Sequence, residues 1–270
     1  MNEILNNNGY CYVDLGLPSG TLWAAMNVGA SKPSDYGLYF QWGDTSGYTA
    51  EQVGTSEGQK RFSLDDYKFN PSHDGSTFTK YTNPGDILDL EYDVAHVHMG
   101  GDWHIPTSEQ IKELIDNTTS TKVTLDGVCG RLFTSKKDNS KSIFIPAAGF
   151  AWGGSVYGRG DSGFVWSSAL STGYVFSGQC LCFNSGDVYL YGYGRNNGFS
   201  VRGVIDKNSD KHLNLSELIK NELKNNFKVK VSADYGGYVN VELLYDDEVI
   251  SSDVCQVITD FNSLDESNND

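Results

Sequence analysis

The sequence predicts an α+β protein built mainly from short antiparallel strands, with few helices. Glycine and tyrosine are abundant, with 30 Gly and 16 Tyr in 270 residues. Short apolar segments alternate with Gly, Ser and Asn turns over most of the chain, a pattern typical of antiparallel sheets. Helical periodicity before residue 205 is confined to two segments, between residues 88 and 117.

The first 86 residues predict strands and then a long loop. Residues 10–30 hold two short apolar segments on either side of a turn at residues 18–20, which predicts a pair of strands. Residues 49–86 are polar and contain several Gly, Ser and Asp residues. This composition predicts a long excursion over the protein surface.

Two helices are predicted next. The first covers Leu88–Met99. The second runs from about Ser108 to Asn117, with Thr107 as its N-cap and Gln110 placed to complete a capping box. The side chains expected to share a face are Val94, Val97 and His98 in the first helix, and Ile111, Leu114 and Ile115 in the second.

Further strands are predicted up to residue 205, with a core rich in tryptophan. Arg202 follows a Ser-Val strand step, and we expect it to be a buried ion-pair partner or an anchor for backbone carbonyls. The tryptophans expected in the core are Trp23, Trp42, Trp103 and Trp166. The strands are expected at Gly130–Ser135, Ser142–Phe150, Phe164–Leu170, Val175–Phe183, Asp187–Tyr193 and Phe199–Ile205.

The composition changes at about Asp206. An amphipathic helix is expected at Asn214–Asn226, followed by a three-stranded meander. Eight of the 35 Asp and Glu residues lie from Asp246 onward, without any Lys or Arg. The sequence therefore predicts three parts: a domain at 1–206, a small helix and meander module at 207–260, and a disordered acidic tail at 261–270.

Net charge excludes several classes of partner. The formal charge of −15 disfavours binding to nucleic-acid phosphates and to anionic membranes. Apolar runs are too short for membrane insertion. The N-terminus shows no signal peptide, which predicts synthesis in the cytoplasm. The spacing of Cys and His predicts neither a metal site nor a bound cofactor.

Six ordered motifs resemble a known group of proteins. They are YVDLGLPSGTLWAAMNVGA, DYGLYFQWGD, LDLEYDVAHVHMGGDWHIPTSEQIKEL, SIFIPAAGF, VWSSALSTGY and FSVRGV, within residues 10–205. They resemble the major paralogous domain proteins of Bacteroidetes and gut phages. That group belongs to the formylglycine-generating-enzyme branch of the C-type lectin fold, and the resemblance implies this fold.

The resemblance also implies a ligand-binding surface on residues 152–198. In some members this stretch is diversified by a retroelement. Here 26 of its 47 residues are Gly, Ser, Tyr or Asn, residue types that antibody loops favour. Relatives carry Tyr at three of these positions, which implies that Phe176, Cys180 and Cys182 are also at the surface. The residues expected to bind ligand are Tyr157, Arg159, Asp161, Tyr174, Phe176, Ser177, Gln179, Cys180, Cys182, Asn184, Asp187, Tyr189, Tyr191, Tyr193, Asn196 and Asn197.

The resulting hypothesis is a non-enzymatic receptor-binding protein carried on a phage particle. Its ligand would be a cell-surface glycan or protein. The 207–260 module would attach it to other virion proteins or to a second copy as a homo-oligomer; the alternative is that the module packs against the 1–206 domain of its own chain. Three alternatives remain open: a binding surface of fixed specificity, a structural virion decoration, and an oxidase of the formylglycine-generating type. The last would use paired cysteines that bind copper, but Cys180 and Cys182 form a CxC with a different flanking motif.

Overall fold

The chain folds into two compact units, Met1–Lys207 and Asn208–Asp270. The computed structural model describes residues 5–75, 77–207, 227–233, 239–245 and 248–255. The division between the units falls one residue beyond the Asp206 position where the composition changes.

Small antiparallel sheets dominate the first unit, as the α+β prediction requires. The strands are β1 (Leu5–Asn7), β2 (Tyr10–Val13), β3 (Thr21–Ala24), β4 (Thr118–Leu125), β5 (Val128–Ser135), β6 (Ser142–Pro146), β7 (Phe150–Trp152), β8 (Ser155–Tyr157), β9 (Gly163–Leu170), β10 (Ser177–Phe183), β11 (Val188–Gly194) and β12 (Val204–Asp206). Four strands pair in the order β1-β2-β3-β12, three in the order β11-β10-β9, three in the order β4-β5-β6, and two as the hairpin β7-β8.

The first predicted helix is shorter than expected. A 3-10 turn at Leu90–Tyr92 precedes α1 (Val94–Met99). The helix begins at Val94 because the Asp93 side chain caps it, accepting a hydrogen bond from the His96 amide at 2.9 Å. The predicted apolar face is wrong, since Val97 is 51% exposed. The buried side chains of α1 are Val94, Ala95 and Met99.

The second helix, α2 (Ser108–Asn117), confirms its prediction. Thr107 and Gln110 form a reciprocal capping box: the Gln110 amide donates to the Thr107 hydroxyl at 3.2 Å, and the Thr107 amide donates to Gln110 Oε1 at 2.9 Å. Ile111 and Leu114 are buried, and they place α2 against one face of the β9-β10-β11 sheet.

The β9-β10-β11 sheet lies inside the first unit. On one face, Val165 and Leu181 pack with residues of α2. On the other face, Trp166, Cys180 and Cys182 pack in a second cluster. The central strand β10 is therefore covered on both sides. The four tryptophans predicted for the core are each at most 1% exposed.

Residues 49–86 are not the surface excursion that their polar composition predicts. Phe62, Tyr67 and Phe69 are buried, and Tyr67 and Phe69 join the same cluster as Trp166. Between these aromatics, Asp65, Asp66 and Lys68 are exposed, so the segment wraps the core instead of leaving it.

Two buried arginines fasten distant segments together. Arg202 donates to the carbonyls of Ala24 and Phe144, at 3.0 Å each, which confirms the backbone-carbonyl anchor. Burial lowers the pKa of Arg202 to about 9. Arg195 donates to the Tyr81 carbonyl at 3.0 Å, and its guanidinium lies 3.6 Å from the Phe78 ring centroid. The 49–86 segment is thereby fixed to the end of β11.

The described part of the second unit is a three-stranded antiparallel sheet. Its strands are β13 (Phe227–Ala233), β14 (Val239–Tyr245) and β15 (Glu248–Cys255), in the order β13-β14-β15. They match the predicted meander, with a register irregularity between Leu243 and Leu244. The predicted helix at Asn214–Asn226 and the predicted acidic tail at 261–270 lie outside the described residues.

Candidate ligand-binding face and groove

A continuous row of aromatic rings runs from β11 across β9 to the β7-β8 hairpin. Neighbouring ring centroids are 5.3–6.4 Å apart, and most pairs meet edge to face or at a tilt. We call these seven residues the aromatic band: Tyr189, Tyr191, Tyr193, Phe164, Phe150, Tyr157 and Trp152.

The ends of the aromatic band are exposed, while its middle is anchored in the core. Tyr191 is 59% exposed at one end, and Trp152 is 53% exposed at the other. Between them, Tyr193 and Phe164 are half-buried and contact Phe199, which stacks on buried Trp166 at 4.1 Å. Packing against the core therefore holds the exposed rings in fixed positions, which a binding surface requires.

Alternation in β11 creates one end of the band. Tyr189, Tyr191 and Tyr193 lie on one face of the strand because successive side chains point to opposite sides. On the other face, Val188 and Leu190 pack against the cluster that contains α2. The helix therefore fixes which face carries the tyrosines.

The other end depends on a two-residue turn. Gly153 and Gly154 have φ values of 59° and 94°, and a two-residue hairpin turn of this kind requires positive φ at both positions. Reciprocal hydrogen bonds of 2.8 Å between Ala151 and Gly198 hold the hairpin to the core. The side chains of Trp152 and Tyr157 lie on the side of the hairpin away from this contact with the core. Their ring centroids are 6.4 Å apart and their ring planes meet at 49°.

A groove lies beside this hairpin, with a volume of about 500 Å³. Its aromatic wall is Trp152 and Tyr157. The facing wall comes from the 49–86 segment, which the sequence analysis did not connect with ligand binding. The lining residues are Arg61, Ser63, Leu64, Asp65, His73, Trp152, Gly153, Tyr157 and Asn196. Of these, only Tyr157 and Asn196 are among the predicted binding residues.

Buried hydrogen bonds hold the walls of the groove together. The Gln41 side chain is 1% exposed. Its Nε2 donates to the carbonyls of Asn196 at 3.0 Å and Ser63 at 3.3 Å. The Gly153 amide donates to the Phe62 carbonyl at 3.2 Å. Three segments far apart in sequence are therefore tied into one site.

Charged groups of both signs occupy the facing wall. Asp65 Oδ1 lies 3.9 Å from His73 Nδ1, and both side chains are more than half exposed. Arg61 lines the same groove. The His73 backbone has a φ of 58°, an uncommon value for a non-glycine residue. The wall thus offers hydrogen-bond donors and acceptors side by side.

Cys180 and Cys182 are core residues, so the expectation that they lie at the surface is wrong. Both are 0% exposed, and their sulfur atoms are 3.3 Å apart. They pair across the sheet with Tyr191 and Tyr189 and therefore share the tyrosines' face. They are buried because β10 is the central strand and β11 is an edge strand. Burial, reinforced by the neighbouring Cys182, raises the pKa of the Cys180 thiol.

Partial burial affects the innermost tyrosine of the band. Together with the neighbouring Cys182 and Tyr189, it raises the pKa of Tyr193 to about 12. The Tyr193 hydroxyl is therefore neutral at physiological pH.

Ser177, another predicted ligand contact, is also buried, at 6% exposure. Neither Ser177 nor the two cysteines can touch a ligand in this conformation.

Four predicted residues lie away from the aromatic band. The Arg159 guanidinium lies 4.5 Å from the Tyr36 ring centroid. Asp161 and Asn184 line a separate cavity of about 10 Å³. The Asn184 side chain accepts hydrogen bonds from the amides of Gly186 and Asp187. These hydrogen bonds make Asn184 and Asp187 part of a turn.

The remaining predicted residues occupy the loop before β10 or lie near the strands. Tyr174 and Phe176 form an exposed ring pair with centroids 5.2 Å apart. Gln179 is half-buried opposite Gly192. Asn197 donates to the Gly194 carbonyl at 2.8 Å and closes the turn after β11.

Comparison with known proteins does not extend these observations. No protein-family model, curated protein or solved structure matches the chain. Within the described residues, no three His, Cys, Asp or Glu side chains are close enough together to hold a metal ion. The helices described there are also too short or too polar to cross a membrane.

Proposed function

We propose that the chain is a non-enzymatic receptor-binding protein. Its C-type lectin-like scaffold presents the aromatic band to a ligand on a cell surface, and the protein is displayed on a phage particle. The resemblance of residues 10–205 suggests the scaffold, and the small antiparallel sheets with few helices are compatible with it. Residues 152–198 supply six of the seven rings of the aromatic band, and Phe150 supplies the seventh.

One observation carries the proposal. The aromatic band exposes large rings at both ends while its middle is fixed in the core. Exposed aromatic clusters of this kind mark interaction sites. Tyr and Trp bind well because they supply large contact areas with few rotatable bonds.

Thiol chemistry is poorly supported by the same geometry. Cys180 and Cys182 are buried in the centre of a sheet, and the pKa of Cys180 is raised. A reactive cysteine needs an accessible thiolate, whereas a buried neutral thiol is inert. This favours binding over an oxidase of the formylglycine-generating type.

Retroelement-driven diversity is proposed only for the exposed part of residues 152–198. Tyr174, Phe176, Tyr189 and Tyr191 are exposed, so changes there would alter ligand contacts without disturbing the core. Changes at Cys180 or Cys182 would act on packing instead. Natural variants of the gene should therefore concentrate their differences at the exposed positions.

Binding is tested with fluorescently labelled full-length protein on intact cells of a panel of gut Bacteroidetes, read by flow cytometry. Replacing Tyr189 and Tyr191 together by Ala should reduce cell labelling about tenfold or more, as loss of aromatic contacts does at interfaces. The matched control replaces Leu90 and Val97, which are exposed apolar residues outside the aromatic band. Equal labelling by both double variants would refute the proposal.

The second unit is proposed as an attachment module that binds virion proteins or a second copy. Its described sheet has two edge strands, β13 and β15, and natural proteins cover or protect such edges. A truncation must follow Lys207 and not Asp206. The Asp206 carboxylate accepts a hydrogen bond from Gln110 at 2.7 Å, and Lys207 pairs with Asp14 at 2.8 Å. Comparing the mass in solution of residues 1–207 and the full chain tests for self-association.

A further inference from the structure

We propose that the groove beside the β7-β8 hairpin binds a neutral saccharide, with one pyranose ring stacked on Trp152. This inference rests on the proposed function and names the class of ligand. The groove lies at the Trp152 end of the aromatic band, so a glycan seated there would extend along the exposed rings.

The shape of the site favours a small ligand segment over a protein surface. The groove is open to solvent and has a volume of about 500 Å³, within the range of roughly 300–1,000 Å³ found for small-molecule sites. A stable protein partner needs about 800 Å² of contact on each side. The two exposed rings of the groove stand beside turn glycines and polar side chains, not on a broad apolar surface.

The aromatic wall matches the apolar face of a sugar ring. A pyranose carries C–H groups on its faces and hydroxyls around its rim. Trp152 and Tyr157, tilted at 49° to each other, form an angled platform on which the C–H face can stack. Trp152 remains 53% exposed, although burying its ring would be favourable.

The facing wall matches the hydroxyl rim. Asp65 can accept hydrogen bonds from two adjacent hydroxyls, while Arg61 and the Asn196 amide can donate. Ser63 also lines the groove.

Charge selects neutral sugars over acidic ones. The chain carries a net charge of −15, which repels sialylated or sulfated glycans at long range. Within the groove, Arg61 is balanced by Asp65, so the site has no strong excess of positive charge. Alternating donors and acceptors suit uncharged hydroxyls.

The experiment uses intrinsic fluorescence of the full-length protein. All five tryptophans lie within the described residues, and Trp152 alone among them is exposed. Neutral oligosaccharides with gluco, galacto, manno and fuco configurations, first screened on an array beside sialylated and sulfated ones, are titrated in solution. A bound neutral saccharide should shift the emission and protect it from acrylamide quenching, with or without EDTA. Trp152→Phe should abolish both responses.

Affinity measurements by calorimetry complete the test. Trp152→Ala and, separately, Asp65→Asn should each weaken binding about tenfold or more. The Leu90→Ala, Val97→Ala double variant should bind the saccharide as the parent does, because those exposed residues lie outside both the aromatic band and the groove. Unchanged thermal unfolding of Asp65→Asn would separate lost contacts from lost folding.

Four results would overturn the inference: no neutral saccharide binds, Trp152→Ala leaves affinity unchanged, only acidic glycans bind, or only peptides compete for the groove. Cell labelling that depends on Tyr189 and Tyr191 but not on Trp152 would refute the saccharide groove and leave the receptor-binding function standing.

Discussion

Strands β10 and β11 lie next to each other in one sheet, yet their side chains meet different surroundings. Cys180 in β10 and Tyr191 in β11 are direct cross-strand partners on the same face. The first is completely buried and the second is 59% exposed. Position within the sheet makes the difference: β10 has a strand on each side, while β11 has one. Residue type and register alone therefore do not determine which side chains reach a ligand.

The largest contrast is expected in thiol reactivity. Cys180 and Cys182 should resist alkylation by iodoacetamide in the native protein, because they are buried and the pKa of Cys180 is raised. Cys11 and Cys129 are partly exposed and serve as internal references. Mass spectrometry of peptides labelled before and after unfolding measures the difference. Native labelling of Cys180 at the rate of Cys11 would contradict the buried position of β10.

An exchange of residue types between the partners sharpens the comparison. Cys180→Tyr forces a large ring into the packed centre of the sheet and should destabilise the protein by about 3 kcal/mol. The reverse substitution on the edge strand, Tyr191→Cys, should change stability by no more than about 0.5 kcal/mol. Urea unfolding followed by circular dichroism gives both values. Similar losses in the two variants would show that the two positions do not differ.

Within β11 itself, removing a more deeply buried ring should cost more stability than removing an exposed one. Tyr193 contacts Phe164 and Phe199 at 5.3 and 5.7 Å between ring centroids, so Tyr193→Ala should cost about 2 kcal/mol. Tyr191→Ala should cost about 0.5 kcal/mol or less. Thermal unfolding distinguishes them. A smaller cost at Tyr193 than at Tyr191 would mean that the aromatic band is not anchored at its middle.

The smallest expected effect is on pH dependence. Because the pKa of Cys180 is raised in the folded state, its neutral form stabilises the fold fully below about pH 8.5, the unfolded value. Above that pH, stability falls because the unfolded chain loses the proton before the folded chain does. Cys180→Ala should lack this decline, whereas Cys11→Ala should retain it. Parallel urea titrations at pH 8 and 9.5 provide the test.

Local signals predicted much of the fold. The capping box of Thr107 and Gln110 sits beside an apolar stripe, and both are readable within ten residues. The central Trp residues and the carbonyl anchor at Arg202 were also predictable from their apolar or strand surroundings. By contrast, β4 was missed because its sequence, TTSTKVTL, is polar and mostly exposed. The Asp126-Gly127 turn that joins β4 to β5 was the signal that could have revealed it.

The candidate site was predictable only in part, because its walls are distant in sequence. Alternation in β11 identified the tyrosines. Arg61, Asp65 and His73 lie in a segment whose composition resembles an ordinary surface loop. Its alternating buried aromatics, such as Phe62 and Tyr67, were the available sign that it packs on the core. Whether Arg61, Asp65 and His73 would form a wall of the groove depends on tertiary hydrogen bonds that sequence patterns do not encode.

The amide of Gln41 has a thermodynamic consequence for recognition. Because it holds the carbonyls of both Ser63 and Asn196, the two sides of the groove are ordered before any ligand arrives. A ligand then loses little free energy to arranging the protein, so that affinity depends mainly on its own fit. Replacing Gln41 would leave every contact residue in place, yet it would add an entropic penalty to each binding event. A residue hidden from solvent can in this way influence which ligands the surface accepts.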